Sequence, residues 1–167
     1  SPQGAAAFRA AGSFDAAGSL SQENAEAFCR DFCKAFSYDT PIFTLDETGS
    51  GTATAVRLWN GTPVFNAGVT FTIDQGRVLS ASGALLPETG AETSSGQKPL
   101  SAFAALTAFQ QMRHASSSVV SSITEVSLCY ELQSTTAAPM ALVPSWRIVT
   151  DTATFYVNCI SGTVRRA

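Results

Sequence analysis

The chain has 167 residues, 45% hydrophobic and 14% charged, with a net charge of −3. That is enough apolar material for one ordinary domain or two small ones, and too little charge for a disordered segment. The basic residues form no cluster that would bind nucleic acid, and no apolar run reaches the roughly 18 residues a membrane helix needs.

Residues 1–20 are rich in Ala, Gly and Ser and lack the charged head and apolar middle of a signal peptide. They read as a linker or stalk left from a longer protein whose leader or membrane anchor lies upstream. Ser21 then suits an N-cap, with Glu23 and Asn24 in the first turn of a helix ending near Ser37. Ala25, Phe28, Phe32 and Phe36 form its apolar stripe, flanked by Cys29 and Cys33, with Glu26, Arg30, Asp31 and Lys34 opposite. After Pro41 the period changes to two. Thr52 to Trp59 reads as a strand, and Asn60-Gly61 as a hairpin turn. Phe65, Ala67, Val69, Phe71 and Ile73 fall on one face of the next strand. Asp74, Gln75 and Gly76 turn the chain into a returning strand over 77–82. Helix and meander make one unit over 21–85.

Residues 86–98 are polar and aperiodic and read as a linker. Pro99 suits the first turn of a second helix, with Ala102, Ala105, Phe109 and Met112 buried, Leu106 alongside, and the serines at 116–118 ending it. Val126, Leu128, Tyr130 and Leu132 alternate as the apolar face of a strand. A hairpin follows: Leu142, Pro144, Trp146 and Ile148 share a face, Asp151 and Thr152 turn, and Phe155, Val157 and Cys159 return. Arg165 and Arg166 read as a solvated tail. The second unit spans 99–167. An offset of 77 residues relates Asp74 to Asp151, and carries Phe65, Val69, Phe71, Ile73 and Val78 onto Leu142, Trp146, Ile148, Thr150 and Phe155. The sequence thus predicts an α+β protein of two tandem repeats, each a helix packed on an antiparallel sheet.

Candidate chemistry is sparse. Cys29 and Cys33 lie within one helical turn, where a disulfide is awkward, and the four cysteines lack the paired CxxC knuckles of a zinc site. They read as buried small hydrophobes. His114 is the sole histidine, so a Ser–His–Asp triad would need it, yet no G-x-S-x-G elbow surrounds any serine. Its place at a helix C-terminus has a simpler rationale in the helix dipole. Glu125 and Glu131 share a strand face with Ser127 and Cys129, a face that is solvated or meets a partner. Neither phosphate-binding glycine motif occurs. The LPETG at 86–90 matches a sortase signal, but 77 residues follow it without an apolar tail, and Asn60-Gly61-Thr62 matches a glycosylation sequon that doubles as a turn.

The strand ITEVSLCYEL from Ile123, the strand LVPSWRIVTD from Leu142 and the segment TFYVNCISGTV from Thr154 carry a resemblance. So does WNGTPVFNAGVTFTIDQGRV from Trp59. These segments resemble the YycH/YycI extracytoplasmic regulators of a sensor histidine kinase and the PepSY-like architecture. Trp146, Tyr156, Asn158 and Gly162 match the pattern, though each has a structural explanation: Trp146 fills core, Gly162 supplies a turn, and Asn158 satisfies backbone near a strand end. The resemblance implies an extracytoplasmic location, an N-terminal tether not included in this sequence, no enzymatic activity and no cofactor. It implies action by protein–protein binding, with a membrane protein such as a sensor histidine kinase, or a peptide or peptidase, as partner. Within the same class stands a PepSY-like peptidase inhibitor. From another class comes a small hydrolase using His114 or a carboxylate pair. No catalytic, metal or binding residue is assigned by the sequence.

Overall fold

A computed structural model of the chain describes residues 4–8, 13–18, 25–86, 98–116, 120–133 and 141–167, the first two stretches as backbone alone. Readings that fall on Ser21, Glu23 and Asn24, on 87–97, and on Ser117 and Ser118 lie outside these residues, most of the LPETG stretch included. The fold is α+β and divides into two compact units, Ser1–Ala91 and Glu92–Ala167.

The first unit runs β1 (Gly4–Phe8), β2 (Ser13–Gly18), α1 (Ala25–Ala35), β3 (Ile42–Leu45), β4 (Gly51–Trp59), β5 (Thr62–Asp74) and β6 (Arg77–Ala84). Among the described residues these strands pair antiparallel in the order β1-β2-β6-β5-β4-β3. The first two correct the reading of 1–20 as linker or stalk. Ser13 to Ala17 of β2 pair with Ala84 to Ser80 of β6. Ladder hydrogen bonds use the backbone alone, so an Ala- and Gly-rich segment extends a sheet despite poor β propensity. Asn60 and Gly61 both have positive φ (48° and 77°), as do Gln75 and Gly76 (47° and 74°). Two-residue hairpin turns demand this left-handed backbone, which matches the twist of the flanking strands.

One face of this sheet is covered by α1, but not through the residues the sequence suggests. Ala25, Cys29 and Cys33 are the fully buried line, Phe28 and Phe32 are half-buried, and Phe36 is exposed. Short thiol side chains share a cluster with Ala53 and Ala55 and permit a close helix–sheet approach, while the larger rings splay to the sides. Phe71 of β5 meets them there, edge-on to Phe32 at 5.3 Å and to Phe28 at 6.4 Å. All four cysteines of the chain are free and buried.

Strand β5 carries an irregularity that redirects two side chains. Its pairing with β4 steps from Val56↔Gly68 to Arg57↔Val64, so residues 65–67 have no partner on β4. Such a bulge shifts the inward phase. Val64 becomes fully buried, while Phe65, expected in the core, is half-buried and lines the other face with Asn66.

Arg57 is the outlier of this unit. It is 3% exposed, its guanidinium lies 5.4 Å from the Tyr38 ring centre, and Nη2 donates to the Leu86 carbonyl at 3.4 Å. Among the described residues its Nε and Nη1 have no hydrogen-bond partner, and none of its contacts is a carboxylate. A buried cation without a counter-charge opposes folding, offset in part by the aromatic ring beneath it. Arg57→Met, similar in reach and uncharged, is therefore expected to raise stability by about 1–3 kcal/mol in urea titration. A loss of about 1 kcal/mol or more would contradict this account of the buried charge.

The second unit runs α2 (Ala102–Ser116), β7 (Ile123–Gln133), β8 (Ala141–Thr150), β9 (Thr154–Asn158) and β10 (Val164–Arg166), the strands in the order β7-β8-β9-β10. The helix begins past Pro99 because Ser101 caps it, its Oγ accepting from the Ala104 amide at 3.3 Å. Ala105, Phe109, Ile148, Phe155 and Val157 form the core, with Phe109 and Phe155 ring centres 5.0 Å apart. The helix contacts β9 and β10. Val126 and Leu128 on the far strand are therefore 36% and 43% exposed rather than buried. The Thr150 Oγ1 donates to the Ala153 carbonyl at 2.7 Å and closes the β8–β9 turn at Asp151 and Thr152. Trp146 packs against the core, and its indole N–H donates to the Leu100 carbonyl at 2.9 Å.

Candidate functional site

Among the described residues no helix covers the sheet face away from α1 or α2, and in the second unit that face is charged. Alternation along the strands puts Glu125, Ser127, Cys129, Glu131 and Gln133 of β7 on it. The cross-strand pairs Ser127↔Arg147, Arg147↔Tyr156 and Tyr156↔Arg165 continue it over β8, β9 and β10. Arg165, read from the sequence as solvated tail, is thus part of a strand. Its Nη2 lies 2.9 Å from Glu131 Oε1.

The charges are held by neighbours. Glu125 Oε1 accepts from Arg147 Nη1 and from Ser127 Oγ, both at 2.8 Å. Glu131 Oε2 accepts from Gln133 Nε2 at 3.2 Å. Glu131, Gln133, Tyr156, Asn158, Ser161, Thr163 and Arg165 line a groove of 290 Å³. The floor of the face is closed: Cys129 and Ser145, paired across β7 and β8, are 2% and 1% exposed, and among the described residues the Ser145 hydroxyl has no hydrogen-bond partner. Burial pushes the Cys129 thiol up to about 12, with the Cys159 thiol adding to the rise. A thiol so held stays protonated and unreactive at neutral pH.

The hydrogen bond from Ser127, followed by the bond and charge of Arg147, holds the Glu125 carboxyl below the usual carboxylate range. Burial opposes the Arg147 charge, but the bond to Glu125 and the attraction of Glu125 and Tyr156 outweigh it and lift its pKa. Burial raises the Tyr156 hydroxyl, an effect that Arg147 partly offsets. A carboxylate whose pKa is depressed in the folded state contributes stability above its unfolded pKa and loses it as pH falls through the folded value. A carbon-detected NMR titration of Glu125 should therefore show a midpoint below that of an ordinary glutamate. Ser127→Ala and Arg147→Gln should each raise that midpoint; no rise in either variant would contradict the causes assigned to the shift.

The residues singled out from sequence divide cleanly. Asn158 is structural: its Oδ1 accepts from the Ile160 and Ser161 amides at 2.8 and 2.9 Å, and Gly162 follows at φ 73°. Trp146 is a core residue, and Tyr156 faces the charged groove. Glu125 and Glu131 share the face as expected, each with its own arginine. His114 is exposed on α2, and its side chain makes no hydrogen bond among the described residues. Sequence reasoning missed Arg147 and Arg165 as members of the network. The two-residue period pointed to them, since each stands opposite an acid or an aromatic once the strand register is set.

The first unit has a second groove on its own open face, 520 Å³, lined by Asp39, Thr40, Ile42, Thr54, Val56, Phe65, Asn66 and neighbouring backbone at Gly68 and Gly83. It sits at the β5 bulge and is mainly neutral. Among the described residues no cluster of His, Cys, Asp or Glu is disposed to hold a metal, and no helix is long and apolar enough to cross a membrane.

No protein-family model matches the chain, and no curated protein sequence matches it. Among solved structures it is similar to the Bacillus megaterium YpeB C-terminal domain, with a TM-score of 0.47 and 13% identity, over 92% of this chain and 76% of that one.

Proposed function

We propose that the chain is a non-enzymatic interaction protein of the YycH/YycI and PepSY-like type. In this reading it acts outside the cytoplasm, tethered by an N-terminal segment, and binds a membrane protein such as a sensor histidine kinase without a cofactor. The observation that carries the reading is the ordered charge pattern on the open face of the second unit. Surface ion pairs contribute only about 0–1 kcal/mol each to folding. Their fixed alternation across β7, β8 and β10 has more to offer recognition, where matched charge steers encounter and rejects wrong partners.

The tandem-repeat reading is supported by two placements. The helices begin at Ala25 and Ala102, the same offset of 77 that relates Asp74 to Asp151. At that offset Phe71, Ile73 and Val78 correspond to Ile148, Thr150 and Phe155, all six buried.

The test is co-purification from detergent-solubilised membranes, comparing the intact chain with an Arg147→Glu, Arg165→Glu double variant whose circular dichroism is unchanged. The intact chain should retain a membrane protein that the variant loses at least tenfold. Equal retention by both, or none by the intact chain, overturns the reading.

A further inference from the structure

The edge strand β3 of the first unit has, among the described residues, no partner on its outer side, and its sequence complements itself. Among the described residues β3 pairs with β4 and with no other strand. Its residues, IFTL, carry no charge and no proline, the devices that normally protect an edge. Ile42 is 71% exposed and Leu45 37%.

The hydrogen-bonding phase of the edge follows from the hairpin. The Asp46 amide donates to the Ser50 carbonyl at 2.9 Å, in register with Thr44↔Thr52 and Ile42↔Thr54. Bonded pairs alternate along an antiparallel ladder, so Ile42 and Thr44 bond inward to β4. The amides and carbonyls of Phe43 and Leu45 point outward from the sheet.

The geometry points to a second copy of this chain as the occupant, its β3 antiparallel to the first about a two-fold axis through Thr44. In that register Phe43 of each copy exchanges both backbone bonds with Leu45 of the other, so the outward groups of both strands are satisfied. Each phenylalanine faces a leucine on the helix side of the joined sheet, a favourable aromatic–aliphatic pair. On the open side Thr44 meets its own symmetry mate. Thr44, Thr52, Thr72 and Ser80 already form a cross-strand row of hydroxyls in one copy. Pairing at β3 would continue that row without a break into the second. A four-residue edge buries little area, so the association is weak and transient. This surface is separate from the charged face of the second unit and does not depend on that reading.

The two-fold makes Thr44 a non-hydrogen-bonded pair, with Cα atoms about 4.5 Å apart, inside the range a disulfide spans. Ile42 would stand more than 10 Å from its mate by strand rise, out of reach. The native cysteines are buried, so introduced thiols report alone. Under mild oxidation by diamide, Thr44→Cys should form covalent dimers at least tenfold faster than Ile42→Cys, although Ile42 is the more exposed. Comparable rates for the two, or no dimer from Thr44→Cys, overturn the proposal. In sedimentation velocity the unmodified chain should show concentration-dependent dimer that Thr44→Lys abolishes, because like charges then meet at the axis. Dimer that persists in Thr44→Lys, or an unmodified chain that stays monomeric at every concentration, also overturns it.

Discussion

Phe71→Ala is expected to lower the stability of the first unit by about 3–5 kcal/mol, the usual loss for removing a buried aromatic ring. Phe71 has no exposed surface and lies between α1 and the sheet, edge-on to two rings of the helix. Its neighbours cannot fill the space it leaves. Ala53, Ala55, Cys29 and Cys33 are short and fixed by backbone, so the cavity persists and adds its own cost to the lost transfer energy. Against a total stability of about 5–15 kcal/mol this is a large fraction, and the midpoint of thermal unfolding should fall by roughly 15 °C or more. Calorimetry and urea titration check it. A loss below about 1 kcal/mol would mean that the seam between α1 and β5 relaxes freely.

The second large effect comes from one hydrogen atom. Gly51 opens β4 at φ 151°, and a methyl group there would stand 2.1 Å from the Thr44 carbonyl oxygen and 3.1 Å from the Leu45 Cα. Both obstacles are backbone, so neither can swing aside. Strain in this glycine-only region adds to the overlap, and Gly51→Ala should cost about 3 kcal/mol. The damage should be local. Amide exchange at Ile42 and Thr44, which bond to β4, is expected to quicken by roughly a hundredfold as β3 detaches. Gly61→Ala is the matched control: φ is 77° there and nothing lies within 4 Å of the added carbon, so only about 1 kcal/mol of conformational strain remains. If Gly61→Ala proves the costlier change, steric closure at Gly51 does not govern β3.

What could be read from the sequence follows from what local pattern encodes. Both helices and the hairpins at Asn60-Gly61 and Asp151-Thr152 were legible, because their signals lie within a few residues of one another. Phe65 was misplaced because phase was extrapolated through a strand that is bulged. Gly68 marked the bulge: a Cβ there would lie 2.8 Å from the Ala55 carbonyl oxygen, and glycine inside a strand often signals such close approach. In α1 three phenylalanines outweighed two cysteines on a hydrophobicity count, yet the helix–sheet gap admits the smaller side chains. Strands β1 and β2 were invisible because their pairing rests on the backbone of a distant strand. The charged face was half legible. Period two placed Glu125 and Glu131 together, but only the register across β7 to β10 brought Arg147 and Arg165 to them. Arg57 gave no sign, since a buried cation looks like any other polar residue in an alternating strand.

The clamp at the start of α2 has an optical consequence. The Leu100 backbone is held at both ends, its amide donating to the Cys159 carbonyl at 2.8 Å and its carbonyl accepting from the Trp146 indole. The chain has two tryptophans, and the other, Trp59, closes β4 in the first unit. Each unit therefore contains its own intrinsic fluorophore. With Trp59→Phe, the emission of the remaining indole would report when α2 lifts from its meander. With Trp146→Phe, it would follow the first sheet alone. The order in which the two units come apart could thus be timed by light, without attaching a label to either.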